Sequence, residues 1–479
     1  MYSVDVASYK YEVLSPQDAA FLSAEAPATP MHIAVAFIAE SGPLRTEHGG
    51  VDIERIRAFI ASRLHRIPRY RQRLAYTPLR GRPIWVDDIH FSIEYHVRHT
   101  ALPHPGTDEQ LKRLIGRLSS QVLDRQRPLW ELWVIEGLEE SERFALVSKV
   151  HHCMVDGVSG AELMTVLMSL SPNEAAEKPP PFVPRPAPSA RELLSEDALS
   201  LATGPVQAGV RLAELLRPDR RGELGQALRG AADLIARGIV PASETPLNRE
   251  IGPHRRFEYF ALDLARVKAL KDKLGGTLND VVLATVAGGM RRFLTRRLVD
   301  VGSLDFRVSA PVSVRSTSEK GVLGNRISAW IIPIPVGEPD PLRRLEHIRA
   351  TTRRLKDSNQ ALGADLLSAV TEWTGTTLLS LATSFQNVGR SHNLIVTNVP
   401  GPQVLLYLVG APLLESYPIG PLFQNQAVII ALFSYAGRLF WGLNADAERM
   451  PDLAGLREDL ERAFEELAGV AALAGAATA

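Results

Sequence analysis

The chain has a single cysteine in 479 residues, Cys153. One thiol excludes an intramolecular disulfide and any metal site built from several cysteines. An excess of either charge is also missing, since 54 Lys and Arg face 54 Asp and Glu. A chain so balanced is not held to nucleic acid by bulk electrostatics, and no nucleic-acid partner is expected. Lysine is scarce, at nine of the 54 basic residues, and the rest are Arg. Together with abundant Ala, this skew fits codon bias better than function. Long hydrophobic runs are lacking as well. The nearest is Ser391 to Gly437, where Glu415 is the only Asp, Glu, Lys or Arg. Pro400, Pro402, Pro412, Pro418 and Pro421 interrupt it, so buried strands and loops are expected there, not a membrane-spanning helix. The N-terminal stretch MYSVDVASYKYEVL has no basic region followed by an apolar run. No secretory leader is therefore expected, and a cytoplasmic location is.

What remains is an ordinary globular composition, 45% hydrophobic and 23% charged. The length suggests about two to three domains. Asp52 to Ile67 carries apolar residues at helical spacing, with Asp52 as N-cap. Glu131 to Glu136 and Arg143 to Val150 read as two strands joined by a charged turn, a β-hairpin. Lys178 to Pro188 is too rich in proline for regular helix, and residues from about Ala190 to Gly238 read as helical. From about Arg255 a second mixed half begins. Helices are expected near Leu264–Leu274 and Asn279–Leu298, and strands at Phe306–Ala310, Ile327–Pro335, Leu394–Thr397 and Ala427–Leu432. The division is thus 1–177, a connector over 178–250, and 251–479.

The sharpest feature is His151-His152-Cys153-Met154-Val155-Asp156-Gly157. It follows an apolar strand. It precedes Ser159-Gly160-Ala161-Glu162, a capping box expected to start a helix. A rigid strand end opening into a loop is a common seat for catalysis. Adjacent residues of an extended segment point opposite ways, so one histidine faces a reaction centre while the other packs. A helix N-terminus close by disfavours the imidazolium and keeps the working histidine neutral, as a general base must be. There is no H-E-x-x-H, no G-x-S-x-G elbow and no Walker A loop, and adjacent His-His-Cys is poor ligand geometry, so no metal is expected. Cys153 beside a histidine suggests a thiol nucleophile, but a lone cysteine is usually buried and inert. A bare His-His pair is better read as structural or as surface. The full H-H-x-x-x-D-G spacing is what singles it out.

That spacing resembles the signature of the condensation-domain and chloramphenicol-acetyltransferase-like superfamily. More closely, the chain resembles the bacterial wax ester synthase/diacylglycerol acyltransferase family, nearly end to end. The resemblance is carried by Leu14-Ser15-Pro16-Gln17-Asp18-Ala19-Ala20-Phe21, Thr29-Pro30-Met31-His32 and Pro128-Leu129-Trp130-Glu131-Leu132-Trp133 in the first half. In the second half it is carried by Asn279-Asp280-Val281-Val282-Leu283-Ala284, Pro311-Val312-Ser313-Val314-Arg315, Gly324-Asn325 and Thr397-Asn398-Val399-Pro400-Gly401-Pro402. The family often has Ser at the Thr397 position, a departure that keeps the hydroxyl.

The resemblance implies an α/β fold. Two chloramphenicol-acetyltransferase-like subdomains with mixed sheets would be joined by a long helical connector, with the site in a tunnel between them. It implies His152 as general base, with His151 and Asp156 as structural parts of the catalytic motif and Gly157 supplying a tight backbone. Asp156 would pair with an arginine, either Arg71 or Arg73. Pro128, Leu129 and Trp130 would pack or line the substrate channel. Asn279 and Asp280 would cap a helix or serve the domain interface. Thr397 and Asn398 would hydrogen-bond the oxyanion or coenzyme A. The implied reaction moves a fatty acyl group from acyl-CoA, a substrate and not a cofactor, directly to a long-chain alcohol or diacylglycerol. Because these substrates are poorly soluble, peripheral attachment to the inner membrane or a lipid body is expected, and Arg217-Pro218-Asp219-Arg220-Arg221 reads either as a segment suited to anionic lipid or as a solvated charged face. Two other readings stay open: a polyketide-associated acyltransferase fed by a carrier protein, and a non-catalytic lipid-binding protein.

Overall fold

The computed structural model describes residues 11–140, 142–154, 164–173, 178–199, 203, 241–313, 327–357 and 391–476. In the first half the strands are β1 (Glu12–Val13), β2 (His32–Glu40), β3 (Gln72–Tyr76), β4 (Pro83–Asp87), β5 (Val97–Ala101), β6 (Trp130–Glu136) and β7 (Arg143–His151). The helices between them are α1 (Pro16–Ala24), α2 (Ile53–Arg63), α3 (Ile93–His96) and α4 (Asp108–Ser120). Their ends follow local chemistry. The Asp18 amide donates to the Ser15 hydroxyl at the start of α1, and Pro16 occupies a position whose amide needs no partner. Asp52 accepts the Arg55 amide at the start of α2. Thr107 and Gln110 form a reciprocal capping box on α4. The hairpin expected from the sequence is present, β6 pairing antiparallel with β7.

The second half contains β8 (Arg255–Asp263), β9 (Arg307–Ser313), β10 (Ile327–Pro333), β11 (Leu394–Pro400), β12 (Tyr407–Leu408), β13 (Ala411–Ile419), β14 (Val428–Tyr435) and β15 (Arg438–Asp446). Its helices are α5 (Leu264–Leu274), α6 (Leu278–Arg296), α7 (Pro341–Asp357) and α8 (Leu453–Ala476). All four expected strands are there. The proline-interrupted run from Ser391 to Gly437 forms β11 to β14 with loops between. Every residue of β14 is buried, because the sheet is covered on both faces. Residues 190–199 are helical. The rest of the expected helical connector, including Arg217 to Arg221, lies outside the described residues apart from residue 203.

Two six-stranded mixed sheets result, in orders β12-β13-β2-β7-β6-β5 and β10-β9-β11-β14-β15-β8, with a three-stranded sheet β1-β4-β3 beside them. In the first large sheet only β5 and β6 run parallel. In the second, β11 runs parallel to both β9 and β14. The sheets do not divide as the chain does. β12 and β13 follow β11 in sequence, yet β13 pairs with β2 in the first sheet. Without it, β2 would be an open edge with unpaired backbone groups. α4 returns the exchange by packing on β8, where Lys112 bonds Glu258 at 2.9 Å. The buried cluster of the first half accordingly takes in Phe257, Phe433, Tyr435 and Phe440 from the second.

Candidate active site

The paired histidines sit where β7 ends, gripped from both sides. The His151 amide donates to Leu129 O at 2.9 Å, and the His152 amide donates to Met31 O at 2.8 Å. One bond ties the turn to the entrance of β6, the other to the entrance of β2. β7 ends at His151 and His152 opens the turn, so the two rings sit in different surroundings. His151 is fully buried, at 0% exposure, and pairs in register with His32. His152 is half-buried, and its ring stacks on Phe21 of α1 with centroids 3.9 Å apart and planes 12° from parallel.

Around His151 lies a buried polar cluster that local sequence patterns do not reveal. Glu25, the residue after α1, places Oε1 3.4 Å from His151 Nε2 and 3.1 Å from His32 Nε2. Arg125 donates to the other Glu25 oxygen from Nε at 3.1 Å and Nη2 at 2.8 Å. The Met31 amide donates to Oε1 at 3.3 Å. Burial alone would raise the Glu25 carboxyl. The nearby side chains of His151 and His32 outweigh it and hold that carboxyl far below the ordinary carboxylate range. The Cys153 amide donates to His151 Nδ1 at 3.1 Å, closing a tight turn around His152. The thiol of Cys153 is buried, and burial pushes it well above its ordinary value, so it is a neutral thiol at pH 7.

The other expected site residues fall into two groups. Trp130 is buried in an aromatic stack, 4.5 Å from the His96 ring and 4.7 Å from Tyr70. Its indole donates to Tyr70 O at 2.8 Å, and Pro128 and Leu129 are buried beside it. In the second half, Asp280 is buried and accepts the Thr277 amide and hydroxyl at 2.7 and 2.8 Å and the Thr352 hydroxyl at 2.7 Å. That carboxylate caps α6 and fastens α7 to it. Exposed Asn279 accepts a 2.6 Å bond from Asn398 on β11, with Thr397 half-buried next to it. The structure thus brings Asn279 and Asn398 together, and they are far apart in sequence. Asp156, Gly157, the capping box at 159–162, Val314, Arg315, Gly324 and Asn325 lie outside the described residues. Of the two arginines proposed for Asp156, Arg71 lies over the Phe182 ring and Arg73 donates to Leu74 O.

Two buried histidines and the half-buried His392 give the protein a pH signature. Burial lowers His32, His96 and His392 each from 6.5 to about 4, against smaller opposing hydrogen bonds. Between those values the unfolded chain binds protons that the folded chain refuses. Stability therefore falls as pH drops from about 6.5 to about 4, by up to ~1.4 kcal/mol per pH unit for each group. Melting temperatures recorded across this range should decline steeply, and a constant Tm from pH 7 to 4 would overturn the expectation.

The architecture, two mixed α/β halves sharing a seam, is that of a condensation domain. The starter condensation domain of rhizomide synthetase superposes with a TM-score of 0.60 at 13% identity, covering 98% of this chain and 97% of that one. At that identity the likeness shows the fold alone. The model of the wax ester synthase/diacylglycerol acyltransferase catalytic domain matches residues 14–282, and that of the WS/DGAT C-terminal domain matches residues 323–468. The chain belongs to this family of acyltransferases. A putative diacylglycerol O-acyltransferase of Mycobacterium tuberculosis is 34% identical over 95% of this chain and 90% of its own length. A second, probable diacylglycerol O-acyltransferase of the same species is 31% identical, covering 95% and 96%. The wax ester synthase/diacylglycerol acyltransferase from Marinobacter aquaeolei VT8 superposes with a TM-score of 0.66 at 27% identity, covering 96% of this chain and all of that one. Among the described residues no helix is long and apolar enough to cross a membrane.

Proposed function

We propose that the chain transfers a fatty acyl group from acyl-CoA to the hydroxyl of a long-chain alcohol or diacylglycerol, with His152 as general base. One observation supports this assignment most. Of the two histidines, His151 is locked into the Glu25 cluster, while His152 is half-buried on a rigid turn. His152 takes the hydroxyl proton as the oxygen attacks the thioester carbon. The tetrahedral oxyanion collapses, the carbon–sulfur bond breaks, and the thiolate of coenzyme A recovers the proton from the imidazolium. An alcohol ionises far above neutral pH, so base assistance of roughly 10²–10⁴-fold is in scale. No acyl-enzyme is required, in keeping with the neutral, buried thiol of Cys153.

The acceptors are poorly soluble, which favours reaction at a lipid surface. The tip of the β3–β4 hairpin suits such contact, with Tyr76 and Leu79 exposed beside Arg80. The test is direct. Purified protein given palmitoyl-CoA and either hexadecanol or a diacylglycerol should release free coenzyme A. Silence with every long-chain alcohol and diacylglycerol would overturn the assignment. In the same preparation, anionic vesicles should carry the protein into the pellet, and protein left wholly in the supernatant would remove the lipid surface.

A further inference from the structure

Glu25, His32 and His151 bring three potential ligand atoms within 4.8 Å of one another, a spacing that a cation would accept. Proton positions argue for a different use. His151 Nδ1 accepts the Cys153 amide, so it carries no proton. A neutral His151 must then be protonated at Nε2, the atom that stands 3.4 Å from Glu25 Oε1, outside hydrogen-bond alignment but with no other partner among the described residues. A protonated Nε2 has no lone pair for a metal. The carboxylate is also already engaged by Arg125 through two bonds.

We propose that Glu25 is a positioning residue for acyl transfer: its carboxylate holds His151 in the Nε2–H tautomer and thereby fixes the turn that carries His152. The proposal rests on the assignment of His152 as base. The logic is that of a carboxylate orienting a histidine through the ring nitrogen that does no chemistry. Were His151 to carry its proton on Nδ1, that N–H would face the Cys153 N–H and the turn would open. His152 would then lose the geometry set by its bond to Met31 O. Arg125 makes the arrangement one-sided. It claims one Glu25 oxygen through two bonds, so the other is left for His151 and the Met31 amide. Among the described residues, the other charged groups facing the cluster include Lys149 on β7, Asp18 on α1 and Arg69. Lys149 is itself held by Leu118 O, Gln121 O and Glu131.

Glu25→Gln is the sharp variant, because it keeps size and changes only the donor pattern. Arg125 draws the single amide oxygen to itself, which turns the amide N–H toward His151 and favours the wrong tautomer. The expected result is a fall in kcat of roughly 10–100-fold with KM for both substrates within about twofold. Glu25→Asp keeps the charge and should restore much of the loss. A ¹⁵N-histidine spectrum, with His151 assigned by its absence in His151→Asn, reads the tautomer without turnover. The unaltered protein should show His151 protonated at Nε2, and Glu25→Gln should shift it to Nδ1. Wild-type kcat in Glu25→Gln, or Nδ1–H at His151 in the unaltered protein, would overturn the proposal. Failure of the base assignment looks different: His152→Ala would keep turnover while the His151 tautomer stayed as expected.

Discussion

His152→Ala should reduce release of coenzyme A by roughly 10²–10⁴-fold, the contribution expected of a positioned general base. The reduction should appear in kcat, since the alcohol and the thioester keep their binding surfaces. Alanine removes one ring of a stacked pair, Phe21 on His152, from a half-buried position. The backbone bonds of the turn, from His152 to Met31 O and from Cys153 to His151, survive the change. Stability should therefore move far less than activity. Cys153→Ala is the companion measurement. The thiol is buried and neutral, so its loss should leave turnover near the unaltered level. Activity lost with Cys153→Ala and kept with His152→Ala would reverse the roles and point to a covalent acyl-enzyme.

A second large effect is expected far from the histidines. Gly442 of β15 lies where β13 passes over it. A Cβ at this position would stand 1.8 Å from Pro418 O and 3.3 Å from Phe257 Cε2. Backbone of another strand cannot step aside as a flexible side chain would. Gly442→Ala must push β13 away from β15, and β13 is the strand that second-half chain contributes to the first sheet beside β2. Overpacking of this kind costs about 3 kcal/mol or more. The variant should melt several degrees lower and give little folded protein. A Tm equal to that of the unaltered chain would show that the seam yields without cost.

Local signals carried much of the second half. The α5 boundaries match the pattern over Leu264–Leu274, and the Thr277 cap marks where α6 starts. The β6–β7 hairpin and the Asp52 cap were equally plain, because capping and periodicity act over a few residues. The H-H-x-x-x-D-G spacing marked the turn itself. Other features had no local trace. Glu25 is one acidic residue after a short apolar helix, and nothing near it in sequence points to His151. Arg125 is one of 45 arginines in the chain. Trp130 reads the same in sequence whether it packs or lines a channel, and its stack with His96 and Tyr70 needs three separate elements.

By itself, then, the sequence determined that this is a two-half α/β acyltransferase of recognisable type, with a histidine pair at a strand end. It led to the expectation that the two rings part by alternation along extended backbone, whereas the strand ends at His151 and His152 lies in the turn. Only the tertiary structure decided which ring packs and which is left half-exposed. That choice depends on β7 pairing with β2 and on Glu25 and Arg125 arriving beside His151. The tertiary structure also decided that β13 completes the first sheet and not the second. A hydrophobic strand carries the instruction to be buried, but its partner is set by long-range register and by close approaches such as the one at Gly442.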